Sequence, residues 1–215
     1  MKILSHKLTN TTPQYAGLKS QLVSFETRIS DGKSCNKHFI HMDLHTGTHI
    51  DFPLHFCESG KSLCDYDNSG IFIFKNWNLT MCSIPPNGLI KDLNLSGINK
   101  DTECLLIKTG WENYRESDSN LYAVEGPGLH ADLAMTLKKQ LPKIKCIGFD
   151  FISLTSFRHR EHGRLAHKKF LCDSDILVIE DMSLCGIHGV SGVLHIVPLQ
   201  VAGVDGTPVT AYILE

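Results

Sequence analysis

Sixteen consecutive residues constrain this chain more than anything else in it. From His41 to Phe56 the sequence reads His-Met-Asp-Leu-His-Thr-Gly-Thr-His-Ile-Asp-Phe-Pro-Leu-His-Phe. Odd positions carry His41, Asp43, His45, Gly47, His49, Asp51, Pro53 and His55. Even positions carry Met42, Leu44, Thr46, Thr48, Ile50, Phe52, Leu54 and Phe56. Successive side chains of an extended chain point to opposite faces. The pattern therefore predicts one apolar, core-directed face and one row of imidazoles and carboxylates. A helix would also bring His45 and His49 together, but Thr46, Gly47, Thr48, Ile50 and Pro53 all oppose it. On a strand, same-face neighbours stand roughly 6.5–7 Å apart, so His49 and Asp51 can converge on one ion. His45 would lie about 13 Å from His49 on an ideal strand. That separation predicts a bend at Gly47 and a second turn at Pro53 before His55.

Any single histidine is most simply a packed or solvated residue. His45, His49, His55 and Asp51 on one face within eleven residues form a ligand set instead. Neutral imidazoles with a carboxylate suit Zn²⁺, Mn²⁺ or Fe²⁺. The twelve histidines of this 215-residue chain add weight to that reading.

The remainder of the sequence limits what surrounds the site. At 42% apolar and 20% charged, the chain can bury a full core. Its net charge of −2 gives no bias toward nucleic acid or an anionic membrane, and neither is expected as a partner. The opening residues turn polar before a signal-peptide apolar run develops. No stretch approaches the ~20 apolar residues of a membrane span. A soluble, cytoplasmic, non-secreted protein is expected. Eight cysteines, with no pair at C-x-x-C spacing, read as free thiols of a reducing compartment, most of them buried in apolar runs. Cys57, two residues past His55, reads as a packing residue.

One domain over residues 1–215 is expected, since no linker or repeat divides the chain. Strand candidates are 21–29, 39–52, 71–74, 104–109, 146–149, 175–180, 193–201 and 209–214. Leu129, Leu133, Leu137 and Leu141, between Gly126-Pro127-Gly128 and Pro142, predict a helix. Residues 160–171 are a weaker helical candidate. Strands outnumber helices in an irregular order, which gives a mixed α/β domain. His159, Arg160 and His162 could meet a substrate carboxylate but read as a solvated helix end, and Asp150 reads as structural.

The segment His45-Thr46-Gly47-Thr48-His49-Ile50-Asp51-Phe52-Pro53-Leu54-His55 resembles the H-x-G-T-H-x-D-x-P-x-H signature of the cyclase family of metal-dependent hydrolases, which includes kynurenine formamidase and isatin hydrolase. The likeness continues through Leu4-Ser5-His6-Lys7-Leu8, Thr109-Gly110-Trp111, Gly126-Pro127-Gly128-Leu129, Ile147-Gly148-Phe149-Asp150, Val178-Ile179-Glu180-Asp181-Met182 and Gly203-Val204-Asp205-Gly206-Thr207-Pro208-Val209. It covers essentially the whole chain. One departure stands near the start. Where many relatives read P-x-Y-P-G, this chain has Pro13-Gln14-Tyr15-Ala16-Gly17, and no Trp follows nearby.

The resemblance implies a swivelling β/β/α domain with a mixed, strand-rich sheet core, assembled as a homodimer or homotetramer. It implies that His45, His49 and Asp51 hold a divalent metal, Zn²⁺ or Mn²⁺. Asp51 would bridge to a second ion, with His167 and Glu180 as later ligands, giving one or two ions per subunit. Glu180 without the family would read as a solvated cap. His55 resembles the family's proton donor and acceptor rather than a ligand. A divalent ion lowers the pKa of water toward ~7, so this set suits hydrolysis of a small-molecule amide, formamide or lactam. A lactone or ester hydrolase with the same site is the nearest alternative. A catalytically silent metal- or small-molecule-binding protein is the other, and it would have no need of His55.

Overall fold

The computed structural model describes residues 1–19 and 21–214. Its strands are β1 (Lys2–Ile3), β2 (Val23–Thr27), β3 (Lys37–Ile40), β4 (His49–Asp51), β5 (Phe72–Phe74), β6 (Trp77–Met81), β7 (Leu89–Ile90), β8 (Cys104–Lys108), β9 (Gly128–Leu129), β10 (Cys146–Phe149), β11 (Leu177–Glu180), β12 (Val193–Pro198) and β13 (Gly206–Leu214). Its helices are α1 (Tyr114–Ser117), α2 (Ser119–Val124), α3 (Leu133–Gln140) and α4 (Arg160–His167), the last running into a π turn at Lys168–Asp173. The expected mixed α/β domain with a strand-rich sheet is what the chain forms.

One large sheet runs β5-β12-β13-β4-β11-β10-β8-β6, with β1 also paired to β13. Strands β6, β8, β10 and β11 are parallel to one another. Strands β5, β12 and β13 pair antiparallel. Between the two halves lies β4, antiparallel to both β11 and β13. The short segment that carries the ligand motif is therefore the seam of the sheet.

The parallel strands are covered on both faces, as parallel sheets require. Alternate residues go to different cores. Leu105, Ile107, Ile147, Phe149 and Val178 pack with Leu133, Leu137, Ala166 and Phe170 from α3, α4 and the π turn. Cys104, Leu106, Cys146 and Ile179 pack with Leu4, Phe74, Trp77, Ile196 and Ala211.

Several sequence expectations need correction. The strand predicted over 39–52 splits, because only Lys37–Ile40 and His49–Asp51 are extended. The Asp43 side chain accepts the His45 N–H and its carbonyl accepts the Thr46 N–H. Gly47 then takes φ 74°, a left-handed conformation open to glycine. The bend predicted at Gly47 is there, and it is sharper than a kinked strand. Pro53–His55 forms the expected second turn. The helix predicted from Leu129 begins only at Leu133. Residues 128–130 spend their N–H groups on Gly88, Leu154 and Ile90 carbonyls, which builds β9 beside β7. Strand β6 escaped the sequence reading altogether, since Trp77-Asn78-Leu79-Thr80-Met81 lacks the apolar run of its neighbours.

The cysteine reading is corrected more seriously. Cys57 and Cys172 form a disulfide, Cα–Cα 5.9 Å, across 115 residues of sequence. Cys104 and Cys146 are the buried free thiols expected of apolar runs, whereas Cys35, Cys64 and Cys185 are exposed. The bond ties the residues after the Pro53–His55 turn to the π turn after α4, and nothing in the local sequence of either cysteine marks that contact. Closing a loop of this length restricts the unfolded chain, typically by about 2–5 kcal/mol. Denaturant unfolding with and without dithiothreitol should show the reduced protein less stable by that amount. Cys57→Ser/Cys172→Ser should match the reduced curve, and superimposable curves would remove the bond from the account of stability. Among the described residues no helix is long and apolar enough to cross a membrane.

Candidate metal centre

The centre forms at the carboxyl ends of the parallel strands, beside the seam. Register puts His49 of β4 opposite Glu180 of β11, and Asp51 opposite Val178. Strand alternation sends Ile50 into one core and turns His49 and Asp51 to the other face. The last residue of α4, His167, closes over them. His49 Nε2 lies 3.4 Å from Asp51 Oδ1 and 3.5 Å from Glu180 Oε2. His167 Nε2 lies 3.7 Å from Asp51 Oδ2 and 3.6 Å from Glu180 Oε1. All four side chains are buried. These separations are long for hydrogen bonds. Those of His49 match the roughly 3.3–3.6 Å between donors that share one tetrahedral ion at 2.0–2.2 Å, and His167 stands at or just beyond the end of that range.

The neighbouring hydrogen bonds select the same use. His49 Nδ1 donates to the Gly47 carbonyl at 2.8 Å, and His167 Nδ1 to the Gly163 carbonyl at 3.0 Å. Carbonyls only accept, so each ring commits its Nδ1–H and turns Nε2 toward the carboxylates. Glu180 Oε1 is steadied by the Leu154 N–H at 2.7 Å. Asp51 Oδ2 is buried with no hydrogen-bond partner. Two imidazole nitrogens facing two buried carboxylates need a cation among them, either protons or a metal ion. Without metal, protons fill the place. Burial opposes charge on both rings, yet the Asp51 and Glu180 carboxylates prevail and raise His49 to about 9 and His167 to about 10. Burial likewise opposes the charge on Asp51, but the facing imidazoles of His167, His45 and His49, of which His45 is hydrogen-bonded to it, hold its carboxyl well below the usual range. The donor set fits a divalent ion.

His45 and His55 stand on the open side of this cage. His45 Nδ1 meets Asp51 Oδ1 at 2.8 Å, and its Nε2 lies 3.2 Å from Asp205 Oδ2. A Cβ at Gly206 would come within 2.3 Å of the His45 ring, so glycine there makes room for it. His55 Nδ1 meets Asp205 Oδ2 at 2.7 Å, and its ring stacks on His45 at 4.0 Å. Donor atoms of His49, Asp51 and Glu180 lie within 4.8 Å of one another, and so do those of His45, Asp51 and His55. Asp51 belongs to both groups. His45 stacks on His55 and also stands edge-on to His49 at 5.1 Å, both His45 and His49 facing the same Asp51 oxygen. All six residues singled out from sequence line one cavity of about 320 Å³.

The model of the putative cyclase family matches residues 3–155. The chain belongs to the cyclase family. It is 30% identical over 181 residues to a kynurenine formamidase of Bacillus thuringiensis subsp. konkukian, covering 80% of this chain and 77% of that protein. Cyclase-like protein 1 of Arabidopsis thaliana is 23% identical over 99% of this chain and 84% of its own. In fold, this cyclase-family chain is similar to isatin hydrolase A from Labrenzia aggregata bound to benzyl benzoate. That match has a TM-score of 0.75 at 19% identity, covering 99% of this chain and 93% of the other.

Two contributors in this cyclase-family site, Asp205 and Asp181, were not read from sequence. Asp205, within the Gly203–Val209 segment, holds both His55 and His45. Burial opposes its charge, but the bond from His55 and the charge of His45 lower its pKa. Asp181, directly after Glu180, accepts Arg115 Nε and Nη2 at 2.8 Å each and the Tyr122 hydroxyl at 2.5 Å. Its carbonyl also accepts Thr48 Oγ1 at 2.5 Å, so one residue fastens the ends of both ligand-bearing strands. Tyr15 lines the cavity from the Pro13–Gly17 segment. An acid beside Gly206 and a buried Arg in α1 were the only sequence signals available. Asp150 is structural as expected, accepting the Thr109 and Gly110 N–H groups.

Proposed function

We propose that this chain is a divalent-metal-dependent hydrolase of a non-peptide C–N bond in a small molecule, an aryl formamide or a cyclic amide. The observation that carries the reading is the His55–Asp205 pair standing beside a buried cage of imidazoles and carboxylates. His49, Asp51, His167 and Glu180 would hold the ion, with His45 at its open side. The two donor groups sharing Asp51 leave room for one or two ions of Zn²⁺ or Mn²⁺. A divalent ion there supplies Lewis acidity and brings the acidity of water into the neutral range. The chain's own residues do the rest. Asp205 fixes His55 through Nδ1, which leaves Nε2 to take a proton from the attacking water and pass it to the departing nitrogen. His45, stacked on His55, keeps that ring from turning away. The buried floor formed by Ile152, with Phe56 at the side, keeps bulk water from the reacting atoms. A silent binding protein has no use for an oriented, non-buried imidazole at this place.

The family relatives named kynurenine formamidase do not fix the substrate of this chain. Ala16 has φ 64°, a conformation that proline, held near −65°, cannot adopt. The cavity wall therefore takes a different path from one built on P-x-Y-P-G. Elemental analysis followed by assays with formanilide, isatin, dihydrocoumarin and N-formylkynurenine tests the reading. Hydrolysis of an amide or lactam is expected, lost with chelator and restored by metal. N-formylkynurenine should be the poorer substrate, and a kcat/KM on it within ~10⁴–10⁸ M⁻¹s⁻¹ would show the altered wall to be irrelevant. Turnover confined to the lactone would transfer the site to ester chemistry.

A further inference from the structure

The face of α4 that delivers His167 to the cage carries two more side chains into the same cavity. Arg160, Arg164 and His167 are spaced four and three residues apart, which aligns them on one helical face. Both arginines line the cavity wall. At 1.5 Å per residue they stand about 10.5 and 4.5 Å from His167 along the helix axis. Arg164 pairs with Glu161 on the outer surface, and the Arg160 guanidinium lies 5.7 Å from the Phe157 ring centre. Tyr15 meets the same Phe157 ring edge-on at 6.0 Å. The Tyr15 hydroxyl is buried and has no hydrogen-bond partner. The charges of Arg160 and Arg164 both reach it, although burial dominates in raising its pKa.

A buried hydroxyl without a partner costs about 1–3 kcal/mol, and here it lies within reach of the charges of two arginines that line the same cavity. Neither arginine is matched by a buried carboxylate, and Glu161 faces solvent. The chemistry missing from this corner is a negatively charged hydrogen-bond acceptor, planar enough for guanidinium forks. His159 and His162, grouped with Arg160 on sequence, take no part. His159 does not line the cavity, and His162 Nε2 accepts the Ala131 N–H at 3.0 Å.

We propose that Arg160, Arg164 and the Tyr15 hydroxyl form a subsite for a carboxylate carried by the substrate, so that the bond hydrolysed belongs to an acidic amide. The inference rests on the hydrolase reading above and specifies its substrate class. The carboxylate sits one to two helical turns from the cage, at the far end of a molecule whose carbonyl lies over His49 and Asp51. N-formylkynurenine carries its carboxylate beside an ammonium group, which the arginines oppose.

The test uses the metal-loaded protein with 4-formamidobenzoate and its neutral isostere 4-formamidobenzamide. The wild type should favour the acid in kcat/KM by about tenfold or more, the worth of one charge-assisted hydrogen bond. In Arg160→Gln/Arg164→Gln that preference should vanish through a higher KM for the acid, and Arg160→Lys/Arg164→Lys should restore part of it. Tyr15→Phe should weaken the preference while leaving the melting temperature unchanged or raised, because the hydroxyl it removes is buried without a partner. Equal kcat/KM for the pair in the wild type, or a preference that survives the Gln double variant, overturns the subsite and leaves the hydrolase reading standing. If neither compound is hydrolysed, calorimetry with the same pair judges the subsite, and the hydrolase reading falls only if formanilide and isatin are also left intact. Tighter binding of the acid, lost in the Gln variant, would support it, and equal Kd values would overturn it.

Discussion

Asp51→Ala is expected to lose bound metal, all hydrolysis and several degrees of melting temperature together. Asp51 is shared by both donor groups, so no ion position survives its removal intact. His49→Ala should strip the ion held with Glu180 and have the same functional result. An ion present at about a thousand times its Kd stabilises the folded state by about 4 kcal/mol, which is the scale of the expected loss. Metal content by elemental analysis checks it, and full occupancy in Asp51→Ala would dismantle the centre. The pH dependence of the metal-free protein gives a second check with a definite sign. His49 and His167 have pKa values raised to about 9 and about 10, above an unfolded value near 6.5. Their protonated pairing with Asp51 and Glu180 therefore stabilises fully below pH ~6.5 and is lost as pH rises toward 9–10. The melting temperature of metal-free protein should fall across that window. Loading with metal should flatten the fall, because the ion replaces the protons.

His55→Ala should keep nearly all its metal and lose about 10²–10⁴ in rate, the usual worth of general acid–base help. The buried cage of His49, Asp51, His167 and Glu180 does not include His55. The deficit should shrink for substrates whose leaving group departs without a proton. Asp205→Asn should reproduce part of it, since the amide can no longer hold the ring as an acceptor of Nδ1–H through a charged oxygen. The competing outcome is specific. His55 has a donor atom within 4.8 Å of those of His45 and Asp51. Metal lost in step with activity in His55→Ala would make it a ligand and leave the proton transfer to another group.

How much of this was legible from the chain depends on how local each signal was. The motif from His45 to His55 is contiguous, and its residue types oppose a helix strongly enough to force an extended, bent path. The bend at Gly47 followed from the distance that His45 had to travel. Strand β10 was read at its true bounds because Cys146-Ile147-Gly148-Phe149 is buried on both faces and flanked by polar residues. The start of α3 was misread because the leucine spacing continues into Leu129, whose backbone is claimed by a distant strand. His167 and Glu180 came only through family resemblance, since one histidine among twelve announces nothing by itself. Asp205, Asp181 and the Cys57–Cys172 bond act across about 60 to 160 residues, and no periodicity encodes such contacts.

The position of β4 has a consequence for how the protein comes into being. This three-residue strand is held on one side by β11 and on the other by β13, both late in the chain. On the ribosome, the ligand motif would emerge early and wait as an unpaired segment while most of the polypeptide is still being made. Pairings of such long sequence separation form slowly, since the intervening chain must first be ordered. His49 and Asp51 acquire their common geometry only when residues 177–180 and 206–208 dock on either flank. Metal acquisition is thus a late event in biogenesis, and an ion captured earlier would be held by a flexible peptide rather than by a centre.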